Sequence, residues 1–390
     1  MPSLWPSRDF VAFLTVAIAF SALYFMRPNV KVDPEIYQLP SPPKLVGDFE
    51  PNQRLVNAQY LVHGAVKGPE SLHIEGDRIY TGTADGKIAK IDHGLLSSFY
   101  VFHELPEGTK CDASYDSEVV CGRPLGIRNF DDSRLIVADA YYGIYLFNKL
   151  NGESVQLVSK EATAIDGNPC TFFNDVEVQD DTTIFFSCSS TKYERRQALV
   201  AFLEQASDGR VYKYTTITKK LEVIQNGLRF ANGIQLTDNK TALLVSETGM
   251  ARIWKLPLKA NSKPIIFIDN LPGLPDNIRS TSRGTYLVGL AGHRSDGKFS
   301  AFDYLGDKPW VRKLLLESVP DFILTKLMLL VQPHYGFIIE FDAEGKIVQT
   351  YQDPLGRSVG YVSEVVEAGG FLFIGSFKDS FIAKVPKKSH

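Results

Sequence analysis

Downstream of residue 53 the apolar positions fall in short runs, broken by Gly, Asp and Asn. This is the texture of strands and tight turns. One unit recurs six times: an aliphatic strand ending in small or acidic residues, a polar turn, then a strand with an aromatic or aliphatic core. It reads Ile79-Tyr80-Thr81-Gly82 to Gly86–Ile91, Leu135–Asp139 to Gly143–Phe147, and Ile184–Ser187 to Arg210–Tyr214. The pattern continues as Leu243–Glu247 to Arg252–Leu256, Tyr286–Gly289 to Phe299–Asp303, and Phe371–Gly375 to Phe381–Val385. A period of about 50 residues with several strands per copy predicts an all-β chain folded as a six-bladed β-propeller. A pair of β-sandwiches would not need such uniform units. One stretch, Leu314 to Val331, is helix-like and is expected between blades five and six. Glu317, Asp321 and Lys326 argue against a second membrane span there. It reads as a surface helix on the propeller, or as one that caps the channel mouth or leans on a bilayer.

The N-terminal pattern is different. Phe10 to Met26 is 17 residues without a charge, between Asp9 and Arg27. That is the short end of the range for a spanning helix. Ala17-Ile18-Ala19 resembles a signal-peptidase site, but the apolar run continues to Met26 and favours an uncleaved signal anchor. The expected organisation is a short cytoplasmic tail (1–9), a transmembrane helix (10–26), a proline-rich stalk (27–53) and the propeller (54–390). The stalk follows from Pro28, Pro34, Pro40, Pro42, Pro43 and Pro51, which resist helix and ladder pairing. A chain so targeted enters the secretory pathway, where Asn239-Lys240-Thr241 is a usable N-glycosylation sequon.

Composition narrows the partners. The 390 residues are 44% hydrophobic, enough for one large core. A net charge of −3 without a Lys/Arg cluster argues against nucleic acid. Of the four cysteines, Cys170 and Cys188 flank the third inner strand and could pair or stay as buried thiols.

A second repeat carries the candidate chemistry. Gly68-Pro69-Glu70-Ser71-Leu72, Phe173-Asn174-Asp175-Val176, Ala231-Asn232-Gly233-Ile234 and Pro275-Asp276-Asn277-Ile278 each set an oxygen-bearing side chain before an aliphatic strand. The positions 70, 174, 232 and 276 are separated by 104, 58 and 44 residues, the first gap being about two units long. In a propeller the innermost strand of every blade lines the axis, so equivalent positions converge. Leu125 and Ser363 complete the ring of six. Glu70, Asn174, Asn232 and Asp276, with Asn277 adding a fifth oxygen, form a hard-oxygen set suited to one Ca²⁺. Zn²⁺ fits poorly without His or Cys, and Mg²⁺ demands tighter octahedral geometry. A single Asn could simply cap a turn. Four oxygen-bearing positions in register, two of them acidic, point to a shared ion. Such an ion could rigidify the channel or polarise a carbonyl oxygen.

Several of these segments carry a family resemblance. Cys121-Gly122-Arg123-Pro124-Leu125-Gly126-Ile127, Phe230–Ile234 with Val245-Ser246-Glu247-Thr248, Leu271–Arg279 and Tyr361–Glu364 with Phe373–Phe377 resemble the strictosidine-synthase-like family. The likeness covers essentially everything after the stalk. It implies a six-bladed propeller related to paraoxonases, type II topology with a lumenal or extracellular propeller, and arylesterase-type activity. It also implies Ca²⁺ at Glu70, Asn174, Asn232, Asp276 and Asn277, and a Cys111–Cys121 disulfide.

Three positions depart from the pattern. Ser363 stands where the synthase carries a glutamate, which argues against its condensation reaction, and Glu364 should face the opposite side of the strand. Ser71 replaces an acidic residue that helps hold a second, structural calcium in paraoxonases, so a second ion is not expected beside Asp175. No histidine dyad is identifiable; His73 and His293 are the candidates for a base. Two functions follow. One is a membrane-anchored, calcium-dependent hydrolase of small aryl esters or lactones. The other is a non-catalytic anchored propeller for ligand binding or adhesion.

Overall fold

Each apolar repeat folds into a four-stranded antiparallel sheet, and six such sheets close around one axis. The computed structural model describes residues 31–163, 167–332 and 334–387. Blades one to five span residues 72–100, 124–159, 172–228, 231–268 and 273–353. Blade six takes three strands from residues 364–386 and its fourth, Gln59–Leu61, from the start of the propeller. That strand pairs with Ile382–Pro386 through Gln59↔Lys384 and Leu61↔Ile382, tying the two ends of the ring together.

Burial follows position within a blade. The second strands of blades three and four, Thr183–Ser190 and Ala242–Glu247, are buried at every residue, because neighbouring blades cover both faces. The outermost strand of blade one, Leu95–Tyr100, alternates exposed and half-buried residues with the period of two expected where only one face is covered.

The helical region departs from expectation. The segment Phe299–Asp303, expected as a strand of blade five, is not one. Residues Ala301–Leu305 form a short helix whose N-cap hydroxyl, Ser300 Oγ, accepts from the Asp303 N–H at 3.2 Å. The third strand of blade five is instead Gly336–Phe341, paired with the second through Tyr286↔Phe341. The insertion therefore lies inside blade five, not between blades five and six. The expected single helix over 314–331 is two, Pro309–Ser318 and Asp321–Val331, divided at Pro320. A proline lacks the N–H and the room to continue a helix across that point.

The expected anchor over residues 10–26 and its short tail lie outside the described residues. Among the described residues no helix is long and apolar enough to cross a membrane. From residue 31 onward the proline-rich segment lies against the propeller instead of standing off it. Val32 and Tyr37 are buried. The Glu35 and Tyr37 N–H groups donate to the carbonyls of Glu204 (2.9 Å) and Gly306 (3.2 Å). Prolines keep a segment extended but do not stop its apolar side chains from packing.

Both cysteine pairs are bridged. Cys111–Cys121 matches the resemblance, and Cys170–Cys188 resolves the open alternative toward a disulfide. Asn239 sits in the exposed turn between the first two strands of blade four.

Candidate calcium site on the propeller axis

A register slip marks the axial position in four consecutive blades. The pairing of first and second strands jumps between Pro124 and Ile127, Phe173 and Val176, Ala231 and Ile234, and Pro275 and Ile278. Two residues are left unpaired in each gap. Such a bulge bends the strand and re-aims its side chains. The first residue of each pair is Leu125, Asn174, Asn232 or Asp276, the ring position. The second is Gly126, Asp175, Gly233 or Asn277. The glycines are dictated by closeness: a Cβ on Gly126 would stand 2.7 Å from Asp175 Cα, and one on Gly233 would stand 2.5 Å from the Asp276 carbonyl oxygen.

The predicted ligands do converge. Glu70, Asn174, Asn232 and Asp276 all line one cavity of about 390 Å³ at the channel mouth, with Leu125 beside them. Asn277 is buried one residue beyond Asp276, outside that lining, its N–H donating to the Ser363 carbonyl at 3.0 Å. Four of the five residues have a buried side-chain oxygen without a hydrogen-bond partner: Oδ1 of Asn174, Asn232, Asp276 and Asn277. The Asn174 amide is fixed with its Nδ2 donating to Ser189 Oγ at 2.9 Å, which leaves the oxygen unsatisfied. A buried oxygen without a partner costs about 1–3 kcal/mol, so four together constitute a standing demand for a cation.

The carboxylates carry the same demand. Burial raises the Asp276 pKa well above the usual range and the Glu70 charge raises it further, partly offset by bonds from Ser363 and Asn232. Glu70 is held by Arg123, itself fully buried, whose Nη2 donates to Glu70 Oε2 at 3.1 Å and to the Gly68 carbonyl at 2.9 Å. Two carboxylates and amide oxygens suit Ca²⁺. Among the described residues no three His, Cys, Asp or Glu gather at one point, so an ion here would rest on two carboxylates and amide oxygens, a set without the nitrogen or sulfur ligands that transition metals favour. The residues present therefore fit calcium.

Beneath the ring lies a second polar layer that sequence reasoning reached only in part. Arg279 donates to Asp175 Oδ2 at 2.9 Å and also contacts Glu364 and Ser71. Ser71 Oγ donates to Glu364 Oε2 at 2.7 Å, and the Leu72 N–H to Oε1 at 2.7 Å. Burial works to raise the Asp175 pKa, but Arg128 and Arg279 outweigh it and hold the carboxyl below its ordinary value. A guanidinium thus already supplies positive charge between Asp175 and Glu364. Glu364 is engaged here and does not line the cavity.

Neither candidate histidine lines this cavity. His73 bonds Glu75 at 2.9 Å and stacks near Tyr80. His293 lines a smaller adjoining cavity of about 120 Å³ and stacks on Tyr335 with ring centroids 4.1 Å apart.

The cavity walls come from segments that spacing could not nominate. Phe172, Phe202 and Phe230 form an aromatic side, Phe202 meeting Phe230 edge-on at 4.9 Å. Arg195, Arg196 and Lys378 bring positive charge to the lining, while Thr325, Met328 and Leu329 place the helix Asp321–Val331 on the cavity wall. The channel-capping alternative for that segment is the one realised. Arg195–Arg196 has no repeat partner along the chain, so only the three-dimensional arrangement exposes its place here.

Comparison with known proteins agrees with the fold and the repeat. The strictosidine synthase family model matches residues 174–261, and the strictosidine synthase-like N-terminal model matches 47–91. The chain is 39% identical to adipocyte plasma membrane-associated protein of Gallus gallus, covering 98% of this chain and 92% of that one. The Homo sapiens protein of that name is 36% identical, over 96% and 89% of the two chains. Protein STRICTOSIDINE SYNTHASE-LIKE 10 of Arabidopsis thaliana is 33% identical, over 95% and 96%. Solved propellers with the same fold include a gluconolactonase from Xanthomonas campestris, with TM-score 0.55, 15% identity and coverage of 92% and 99%. A calcium-binding regucalcin from Agrobacterium tumefaciens aligns with TM-score 0.53, 11% identity and coverage of 84% and 92%. The chain belongs to the strictosidine synthase-like family.

Proposed function

We propose that this strictosidine synthase-like propeller is a membrane-anchored, calcium-dependent hydrolase of small aryl esters or lactones. The observation that carries the reading is the set of orphaned, buried side-chain oxygens, Oδ1 of Asn174, Asn232 and Asp276 around one cavity and of Asn277 just beyond its lining. Glu70, Asn174, Asn232, Asp276 and Asn277 would hold a single Ca²⁺. When bound, the ion supplies Lewis-acid polarisation of a carbonyl oxygen. The residues of the chain do the rest. Phe172, Phe202 and Phe230 offer an apolar aromatic wall to the aryl or acyl part of a substrate. The helix Asp321–Val331 excludes bulk water from the mouth. Arg123 fixes the Glu70 carboxylate in place. The reading draws support from the gluconolactonase and the calcium-binding regucalcin that share the fold. Two disulfides suit a lumenal or extracellular propeller carried by the apolar run at residues 10–26. The sequon at Asn239, on an exposed turn, would then be glycosylated. Synthase-type condensation is disfavoured, since Ser363 replaces the glutamate at that position.

The test is phenyl acetate hydrolysis by the purified chain before EDTA treatment, after it, and after Ca²⁺ is restored. Activity is expected to vanish and return. Asn232→Ala should lower calcium affinity at least tenfold by titration calorimetry, with activity falling in parallel. A chain that hydrolyses nothing calcium can restore, with Asn232→Ala indistinguishable from wild type, leaves a ligand-presenting propeller and overturns the enzyme reading.

A further inference from the structure

The helical insertion of blade five is apolar on two sides. In Asp321–Val331, Thr325, Met328 and Leu329 face the cavity, while Phe322, Leu327 and Leu330 are exposed, Leu330 at 81%. A helix apolar on both faces belongs between two apolar media, yet only one is supplied by the propeller. The neighbouring segments repeat the pattern. Trp310 (69% exposed) and Leu314 lie four residues apart on one face of Pro309–Ser318, while Phe299 (68%) precedes the short helix Ala301–Leu305 and Tyr304 lies within it. Seven of the exposed large hydrophobics thus fall within residues 299–330. Exposed large apolar side chains concentrated in one insertion mark a candidate binding face.

The chain itself indicates what covers it. Val32 is buried in the cluster with Leu203, Leu305, Leu316 and Leu324, on the inner side of these same helices. Arg312 locks the arrangement, donating to the Leu203 carbonyl and to the Glu35 carbonyl, both at 2.6 Å. Val32 is six residues beyond Met26, the end of the uncharged apolar run. Six extended residues reach about 20 Å at most. Wherever that run enters a bilayer, Val32 and the inner side of the insertion packed on it stay within that distance of Met26. Trp and Tyr at the exposed rim are the side chains that favour the membrane–water boundary.

We infer that the outer face of the blade-five insertion, Phe299 to Leu330, docks onto the lipid bilayer, so that the roof of the cavity rests against the membrane. This rests on the proposed anchoring through residues 10–26, and the two can be separated. The full chain carrying Trp5→Phe is reconstituted in phosphatidylcholine nanodiscs with plain or brominated acyl chains, and compared with the same chain carrying also Trp310→Phe. The Trp310 component is the difference between them. About a twofold loss of its emission in brominated discs is expected for a side chain seated at the acyl boundary. Emission from Trp254, in blade four, should be unchanged. A chain that co-purifies with discs but whose Trp310 is not quenched overturns the docking and leaves the anchoring intact. That would be the outcome if the face met a second copy of the chain. A chain that does not enter discs overturns the anchoring and the docking with it. Trp310 is exposed, so matching thermal unfolding of the two variants establishes that both are folded.

Discussion

At the residue scale, the side chains near the channel divide by how their burial is compensated. Asp175 and Glu364 share Arg279, whereas Oδ1 of Asn174, Asn232, Asp276 and Asn277 has no protein partner, so the lower layer is self-sufficient and the ring above it is open to a cation. His293 shows the uncompensated case in another form. Burial, reinforced by the charge of Lys298, depresses its pKa to about 4. The unfolded chain takes up a proton near the ordinary value of about 6.5, while the native imidazole resists it to about 4. Stability from this group is therefore complete above pH 6.5 and declines as pH falls through that window, by about 3 kcal/mol in all. His293→Phe, which keeps the ring against Tyr335, should lose that decline. Urea unfolding at pH 7 and pH 4.5 reads it as a smaller drop in the variant than in wild type. His293 was visible in the sequence as a candidate base. Its neutral, stacked state was not, since that depends on Tyr335, 42 residues away.

At the scale of elements, the inner strands owe their function to bulges. A regular strand would turn Asn174 and Asp175 to opposite faces, but the slip between Phe173 and Val176 frees both. The ring positions were legible because Asn or Asp, set before an aliphatic residue, recurs in the chain. The bulges themselves were not, because a register is a relation between two strands. The same reason left Cys170 and Cys188 open. Pairing them requires that the end of the first strand of blade three lie beside the second, as Phe173↔Cys188 now shows. Their bridge closes an 18-residue separation. Replacing both with serine is expected to cost about 3 kcal/mol, largely through the freed unfolded chain. A lowered urea midpoint, with a slope equal or steeper as the freed unfolded chain exposes more surface, would bear this out; an unchanged midpoint would not.

On the scale of the whole molecule, the ring is closed by three residues from the other end of the chain. Leu61 packs with Leu72, Ile79, Ile91, Phe373 and Ile382, joining blade six to blade one. Blade six also brings Ser363 to the axis. Leu61→Asp would place an unpaired charge in this seam, with an expected cost of about 3 kcal/mol. Because closure holds the ring positions in place, calcium affinity should fall with stability although Leu61 is remote from the ligands. Calorimetry of unfolding and of calcium binding on the same variant checks both. Weakened folding with unchanged affinity would show that the ring forms without the seam.

Local composition and repetition determined the class of fold, the number of blades and the identity of the converging oxygens. These are properties of each unit by itself: a strand pair encodes its own alternation, and equivalent residues in equivalent units meet on one axis. Tertiary structure alone decided the place of the helical insertion, the course of residues 31–53, the second disulfide and the walls of the cavity. Phe299–Asp303 has the composition of a strand, but the third place in blade five is taken by Gly336–Phe341, and the displaced segment folds against the cavity adjoining the channel mouth. Arg195, Phe202 and Met328 meet there only because insertions from blades three and five are brought to the same end of the propeller. No periodicity within either segment records the presence of the other.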